Sequence, residues 1–200
     1  MVMYLSIIIV CMLLITTGNY FFVQQFTTNS FIYVFLIVLL SVIAIIIIDC
    51  IFATVGRWIL PQKFFSIDKK WFCASKKESR FYEMIGIKKW KDKALELGAV
   101  TGFRKNKLGD ATSNEYVGRF ILEANYGIVV HILCILFGFL LLIGSVFWGC
   151  FWVFLPVCFV NAILNAMTMF ILRYNLPKLH TLYKFNKRRE GKKELKTDNI

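Results

Sequence analysis

The chain has 200 residues, of which 58% are hydrophobic, and its mean hydropathy of +0.64 is too high for an ordinary soluble domain. The composition therefore excludes a soluble globular class and favours an integral membrane protein. The formal net charge of +12 is compatible with nucleic-acid binding. Basic segments beside membrane spans already account for that charge, so we expect no nucleic-acid partner.

The first predicted element is an apolar block, because residues 1–48 contain no Asp, Glu, Lys or Arg. Its length is about twice the ~20 residues that one helix needs to cross a ~30 Å hydrocarbon core. The polar residues of Thr16–Ser30 interrupt the block and suit an interfacial turn. We therefore predict a transmembrane hairpin over residues 1–56, with spans at about 3–20 and 31–56.

The next segment, 57–117, is polar and rich in Lys and Arg. Apolar side chains recur in it at the spacing of one helix face, at Met84, Ile87, Trp90, Ala94 and Leu97. Lysines stand between them, so the pattern predicts an amphipathic helix. We expect this helix to lie in the headgroup region, with Trp90 as its anchor.

A second apolar block, residues 124–172, again contains no Asp, Glu, Lys or Arg. It predicts a second hairpin, with spans at about 122–147 and 151–173 and a turn around Phe147–Phe154.

Three local signals refine the helix ends. The Thr-x-x-Glu pattern of Thr112–Glu115 predicts a capping box at the start of the third span. Pro156 is expected to free the backbone carbonyl of Trp152, because proline has no N–H to donate. Pro177 is expected to end the last helix ahead of a basic tail.

Together these elements predict an all-α integral membrane protein with about four transmembrane helices in two hairpins and a cytoplasmic interfacial amphipathic helix between them. The predicted regions are 1–56, 57–117, 118–176 and 177–200. Basic residues flank the spans, whereas the hairpin turns carry no such charge. The positive-inside rule then places both termini and residues 57–117 in the cytoplasm of a multi-pass cell-membrane protein.

Polar side chains stand in the spans at a common spacing. His131 follows Glu123 by eight residues, and Asn165 precedes Arg173 by eight. Eight helical residues rise about 12 Å, so we expect His131, Asn165 and Asp49 to form a polar layer inside the membrane. Glu123 and Arg173 would lie level with each other at its rim. Such a layer is either a structural network of interhelical hydrogen bonds or a catalytic or transport site.

Four different motifs occur in order along roughly residues 57–190. They are "LPQKFF" (Leu60–Phe65), "FYEMIGIKKWKDKALELG" (Phe81–Gly98), Glu123 with His131 eight residues on, and Asn165 followed by "RYNLPKL" (Arg173–Leu179). In these motifs the chain resembles the glycosyl-4,4'-diaponeurosporenoate acyltransferases, small bacterial membrane enzymes of staphyloxanthin-type carotenoid synthesis.

The resemblance implies transfer of a fatty acyl group from a thioester, acyl-CoA or acyl-carrier protein, to a sugar hydroxyl of a membrane glycolipid. Membrane lipids and this lipid-linked sugar acceptor are then its partners, and we expect no cofactor and no metal. The six cysteines indeed show no metal-ligand spacing. The motif positions that the resemblance marks as functional are Trp90, Lys91, Glu123, His131, Asn165, Arg173, Tyr174 and Asn175.

The chemistry of acyl transfer assigns roles to some of these residues. His131 would be the general base that takes the hydroxyl proton, with Asp49 or Asn165 orienting its other ring nitrogen. Asn165 or Asn161 would donate to the developing oxyanion. Arg173 and Lys91, at the cytoplasmic edge, suit the phosphates of the donor.

The chain also departs from the family pattern. Relatives carry proline, two charged residues and a basic residue at the positions of Leu95, Tyr126, Ile128 and Leu176. A branch with another acceptor, or one that has lost activity, would show such departures. Two other classes therefore stay open: a non-enzymatic accessory or scaffold protein whose intramembrane polar residues bind a partner helix, and a small-lipid transporter, which with four spans would need homo-oligomers.

Overall fold

A computed structural model describes residues 2–23, 30–93 and 111–197, and within these ranges it contains helices and no β-strand. The α-helices are α1 (Val2–Gly18), α2 (Phe31–Ile59), α3 (Lys76–Met84), α4 (Ile87–Trp90), α5 (Asn114–Gly138), α6 (Leu141–Trp148) and α7 (Phe151–Thr197). A π-helical turn, Asn19–Val23, continues α1. Short 3-10 helices occupy Gln62–Phe65, Lys70–Phe72 and Lys91–Lys93. The predicted all-α class is confirmed.

Four stretches of the described chain are long and apolar enough to cross a membrane. They are Met3–Val23, Phe31–Ile59, Asn114–Trp148 and Phe151–Gly191. Large aliphatic side chains on them are exposed, among them Leu14, Leu40 and Ile163 at 66%, 63% and 58%, and hydrocarbon is the surrounding that such surfaces require. The predicted number and order of spans are confirmed, and this is a membrane protein.

The chain divides into two compact units, and α5 and α7 each contribute to both. The first unit comprises 1–60 and 129–169 in their described parts. Its core is aliphatic, with Val38 and Val153 fully buried beside Ile45 and Val157. The turn before α7 is made by Gly149, whose φ of 63° lies in the left-handed region that glycine adopts readily. This turn falls inside the predicted stretch Phe147–Phe154.

The second unit comprises 61–92 with the described parts of 111–128 and 170–200. Aromatic rings dominate its packing: Phe65 stacks on Tyr126 with centroids 3.6 Å apart, and Tyr82 lies 4.9 Å from Phe170. Ile128 and Leu176 are fully buried here. Three of the four positions at which the chain departs from its family pattern are therefore used for packing, and the fourth, Leu95, lies outside the described residues.

The predicted interfacial helix is divided. Gly86, with a φ of 73°, separates α3 from α4, so the chain changes direction where the pattern predicted a continuous face. Met84 is 77% exposed, whereas Ile87 is fully buried. The rest of the predicted stripe, Ala94 and Leu97, lies outside the described residues.

The capping box predicted at Thr112 is wrong by one residue. Ser113 precedes α5, and its Oγ accepts the backbone N–H of Tyr116 at 3.2 Å, which is the usual geometry of an N-cap. A capping box does form at the start of α3. There the Ser75 and Glu78 side chains accept each other's backbone N–H groups, both at 3.2 Å.

The two prolines of α7 act alike, because each frees a carbonyl that another segment satisfies. As predicted, Trp152 O lacks its helical donor at Pro156, and it accepts Asn19 Nδ2 at 3.1 Å. Pro177 does not end the helix, which runs on to Thr197. Its freed carbonyl, Arg173 O, accepts the backbone N–H of Ala74 at 3.2 Å. The helix therefore continues past Pro177 without leaving this acceptor unsatisfied.

Candidate active site

Four polar side chains from the spans of the first unit form one hydrogen-bonded cluster. We call Asp49 of α2, His131 of α5, and Asn161 and Asn165 of α7 the polar cluster. Three of them, Asp49, His131 and Asn165, are the predicted polar layer, and the structure brings them together.

The Asp49 carboxylate is held by both asparagines. Asn161 Nδ2 donates to Asp49 Oδ1 at 3.2 Å, and Asn165 Nδ2 donates to Asp49 Oδ2 at 3.0 Å. Asn165 Nδ2 also donates to Asn161 Oδ1 at 3.0 Å and lies 3.1 Å from Asn161 O. Burying an acid or an amide inside a membrane span costs free energy unless the group is hydrogen-bonded.

His131 joins this cluster through Asn165, with its Nδ1 lying 2.8 Å from Asn165 Oδ1. The backbone carbonyl of Asn161, 3.1 Å from Asn165 Nδ2, only accepts, so Asn165 turns its NH₂ group to Asn161 and Asp49 and its carbonyl oxygen to His131. A carbonyl oxygen also only accepts, so Nδ1 carries the proton. In the neutral imidazole the lone pair is then on Nε2. The network of acceptors thus selects the tautomer that a general base needs.

Helix periodicity explains why these residues meet. Asn161 and Asn165 are four apart and therefore share a face of α7. On α5, His131, Cys134 and Gly138 share a face at spacings of three and four. Cys134 Sγ donates to the Asp49 backbone carbonyl at 3.7 Å.

Gly138 leaves the space that the amide of Asn161 occupies. A Cβ at position 138 would stand 2.8 Å from Asn161 Nδ2, closer than side-chain atoms approach one another. The absence of a side chain at this position lets α5 and α7 come close enough for the cluster to form.

Arg173 lies in the second unit, in a cluster that sequence reasoning did not foresee. Its Nε and Nη2 donate to Glu78 Oε1 at 2.6 Å and Glu78 Oε2 at 3.0 Å. Nη1 donates to Trp71 O at 3.0 Å, and Nη2 to Cys73 O at 3.4 Å. Tyr82 donates its hydroxyl to the same glutamate. The hydrogen bond from Arg173 is the main reason that the pKa of Glu78 falls to about 2.

These contacts bear on two expectations about Arg173. The carboxylate that binds Arg173 is that of Glu78, whereas Glu123, the acid expected at the level of Arg173, is half-buried on α5. The guanidinium also donates to four protein oxygens. Its role as a ligand of the donor's phosphates stays a prediction. The Ser-x-x-Glu pattern of the capping box was the signal by which Glu78 could have been found.

Two of the remaining predicted positions, Tyr174 and Lys91, lie close together, and Tyr174 is 6% exposed. Its hydroxyl donates to Glu83 Oε1 at 3.0 Å, and Lys88 Nζ lies 2.8 Å from the same oxygen. Lys91 Nζ and Lys178 Nζ stand 5.9 Å and 5.1 Å from the centre of its ring, within range of a cation–π interaction.

Trp90 and Asn175 complete the predicted set. Trp90 is half-buried and donates its indole N–H to Ile85 O at 3.2 Å, a contact that positions the ring within its own segment. Asn175 is half-buried on α7, next to Tyr174.

An apolar groove that is partly open to the surroundings, with a cavity volume of about 50 Å³, adjoins the polar cluster. α1, α2 and α7 form its walls, and all of these wall residues belong to the first unit. Asn161 is a member of the polar cluster and also lines this groove.

Comparison with known proteins gives a family match. Residues 61–185, more than half of the chain, match the family described as glycosyl-4,4'-diaponeurosporenoate acyltransferase. No curated protein and no solved structure matches the chain significantly. His131, Asn165 and Arg173 lie inside the matched segment, whereas Asp49 precedes it. Because the matched segment covers more than half of the chain, the chain belongs to the glycosyl-4,4'-diaponeurosporenoate acyltransferase family.

Proposed function

We propose that this protein transfers a fatty acyl group from a thioester donor to a sugar hydroxyl of a membrane glycolipid, with His131 as the general base. The observation that carries the proposal is the chain of hydrogen bonds from Asp49 through Asn165 to His131 Nδ1. It supports a lone pair on Nε2, the atom that would take the proton. The family description and the four membrane-spanning helices supply the class of reaction and its location.

In the proposed step, the sugar hydroxyl oxygen attacks the thioester carbonyl carbon. His131 Nε2 takes the hydroxyl proton as the C–O bond forms, which general-base catalysis accelerates by about 10²–10⁴-fold. The tetrahedral intermediate then expels the thiolate as the C–S bond breaks. The imidazolium returns the proton to sulfur, so His131 ends the cycle neutral.

Asn165 and Asp49 are positioning residues in this scheme. The Asp49 carboxylate holds Asn165, and Asn165 holds the imidazole and stabilises the positive charge that develops on it. Asn165 uses its amide protons on Asp49 and Asn161. Asn161 gives one amide proton to Asp49, and its second proton is the one we assign to the oxyanion.

The donor and acceptor are assigned by class. The acceptor is a glycosylated carotenoid or another lipid glycoside, and the donor is an acyl-CoA or acyl-carrier-protein thioester. Lys91 is proposed to bind the phosphates of the donor, and Trp90, Tyr174 and Asn175 to line its approach. Glu123 is kept as a further acid–base candidate on α5. The cytoplasmic placement of both termini and of residues 57–117 in the cell membrane follows from the positive-inside rule.

The test compares the two histidines of the chain. His131→Ala and His180→Ala should insert equally, and His180 is the matched control because it lies on α7 in the second unit. Lipid mass spectrometry at matched membrane levels should show a glycolipid gaining one acyl mass with wild type and His180→Ala. With His131→Ala the product should fall by about 10²-fold or more.

Equal product from all three proteins would contradict the assignment of His131. No product from any of them, in cells that contain glycosylated lipids, would contradict the acyltransferase activity. The polar cluster would then be an interhelical packing network, and the accessory or scaffold function would be favoured.

A further inference from the structure

The apolar groove continues directly from the polar cluster. Asn161 lines the groove while its Nδ2 donates to Asp49 at 3.2 Å. The other lining side chains are aliphatic or sulfur-containing, and they come from α1, α2 and α7. A groove with one polar end and apolar walls suits a ligand whose polar head lies at Asn161 and whose apolar tail extends along the helices.

Two polar contacts join α1 to α7, one on each side of the groove. Tyr4 Oη lies 3.0 Å from Thr168 Oγ1, and Asn19 Nδ2 donates to Trp152 O at 3.1 Å. The lining of α1, Ile8–Ile15, falls between these contacts and extends for about 10 Å along the helix. The groove is therefore bounded along α1, and its length can limit the length of a bound ligand.

We propose that this groove binds the hydrocarbon chain of the acyl donor and selects the chain lengths that are transferred. The proposal rests on the proposed function, since it places the donor's chain beside the same catalytic cluster. None of the lining residues, all of which are described, is aromatic, and Met12 among them adapts to flexible ligands. A flexible saturated chain suits a groove that is bounded at both ends, whereas a rigid polyene needs a straight slot that is open at its ends.

The same geometry gives the N-terminal hairpin a role beyond anchoring. The walls from α1 and α2 lie before residue 61, where the family match begins. Chain-length selection would therefore reside in a segment outside the matched region, while the general base lies inside it.

Two adjacent isoleucines of α1 allow a matched test. Ile8 lines the groove, whereas Ile9 is 48% exposed. Ile8→Trp fills the groove with a larger side chain, so the ratio of long to short acyl chains in the product should fall by about tenfold or more. Ile9→Trp should keep the wild-type ratio. The ratio is measured by lipid mass spectrometry, and Ile15→Ala, which widens the groove, should shift it toward longer chains.

A second measurement does not depend on turnover. Palmitic acid carrying a diazirine on its chain is crosslinked to purified full-length His131→Ala protein, and the labelled peptides are mapped. We expect label on Ile8–Ile15 and Val157–Leu164, reduced several-fold when Ile8→Trp is added and unchanged by Ile9→Trp. This readout also covers the case in which the Ile8→Trp enzyme is inactive.

The outcomes separate this proposal from the proposed function. Wild-type transfer with the same chain-length ratio in Ile8→Trp and Ile9→Trp, or crosslinks without preference for the groove, would overturn the groove assignment and leave the acyltransferase in place. Groove labelling that Ile8→Trp suppresses, without transfer by wild type, would support a chain-binding groove and count against the catalytic assignment.

Discussion

Replacing Asp49 by Asn tests whether the polar cluster is built for proton transfer or only for packing. The two oxygens of Asp49 accept Asn161 and Asn165 at 3.2 Å and 3.0 Å. The amide of Asp49→Asn offers one oxygen, so one of these two donors would face an NH₂ group. If Asn165 turns its amide, it presents Nδ2 to His131, which then carries its proton on Nε2 and has no lone pair there for the substrate.

The expected change in stability is small. A hydrogen bond to a charged acceptor contributes about 1.5–3 kcal/mol and a neutral one about 0.5–1.5 kcal/mol, so two weakened bonds remove about 2–3 kcal/mol. A carboxylate deep in a membrane helix costs about 2.5–3.5 kcal/mol, which the amide avoids. The two effects cancel to within about 1 kcal/mol. Turnover should fall by the ~10²–10⁴-fold that the base contributes.

Two assays separate these effects. Thermal unfolding in detergent measures stability, and acyl transfer to glycolipid measures turnover at matched protein levels. Asp68→Asn is the control, because Asp68 is exposed in a loop of the second unit. Wild-type turnover by Asp49→Asn would refute the tautomer argument. Loss of turnover together with a large fall in melting temperature would show that the carboxylate serves folding instead.

Two further substitutions test the structural contacts. Glu78→Gln removes the charge that binds Arg173 and should cost about 1–3 kcal/mol of unfolding free energy without raising KM for the donor. Because the pKa of Glu78 is lowered from 4.5 to about 2, the stabilisation is complete above pH 4.5 and is lost as the pH falls toward 2; melting curves with no such difference between wild type and Glu78→Gln would contradict this. Asn19→Leu leaves Trp152 O without its donor and should also cost about 1–3 kcal/mol. In a Pro156→Ala background the helix supplies that donor, so equal costs of Asn19→Leu in both backgrounds would disprove the role of the freed carbonyl.

The sequence predicted the membrane-spanning helices and three of the four members of the polar cluster. Charge-free blocks of known length specify spans, and equal eight-residue offsets place Asp49, His131 and Asn165 at one depth. The level of a residue along its helix does not specify on which face of the helix its side chain lies. Only the structure shows that Asn165 stands between the other two and that its amide orientation selects the histidine tautomer.

The errors arose where local patterns compete with tertiary contacts. Pro177 was expected to end α7, but the helix continues because Ala74 satisfies the carbonyl that proline frees. Glu123 was the acid expected at the level of Arg173, whereas Glu78 binds Arg173 from α3, an element that no span periodicity relates to α7.

Composition, hydropathy and spacing along single helices are properties of the sequence by itself. The sequence therefore determined the membrane class, the four spans and the positions of the polar residues along them. Partners in space depend on how helices far apart in the chain turn their faces toward one another. The tertiary structure therefore decided which acid binds Arg173, how His131 is oriented, and that the N-terminal hairpin forms the walls of a groove beside Asn161. The physical reason is that the hydrophobic effect drives spans into the membrane without direction, whereas hydrogen bonds between helices require specific atoms to meet.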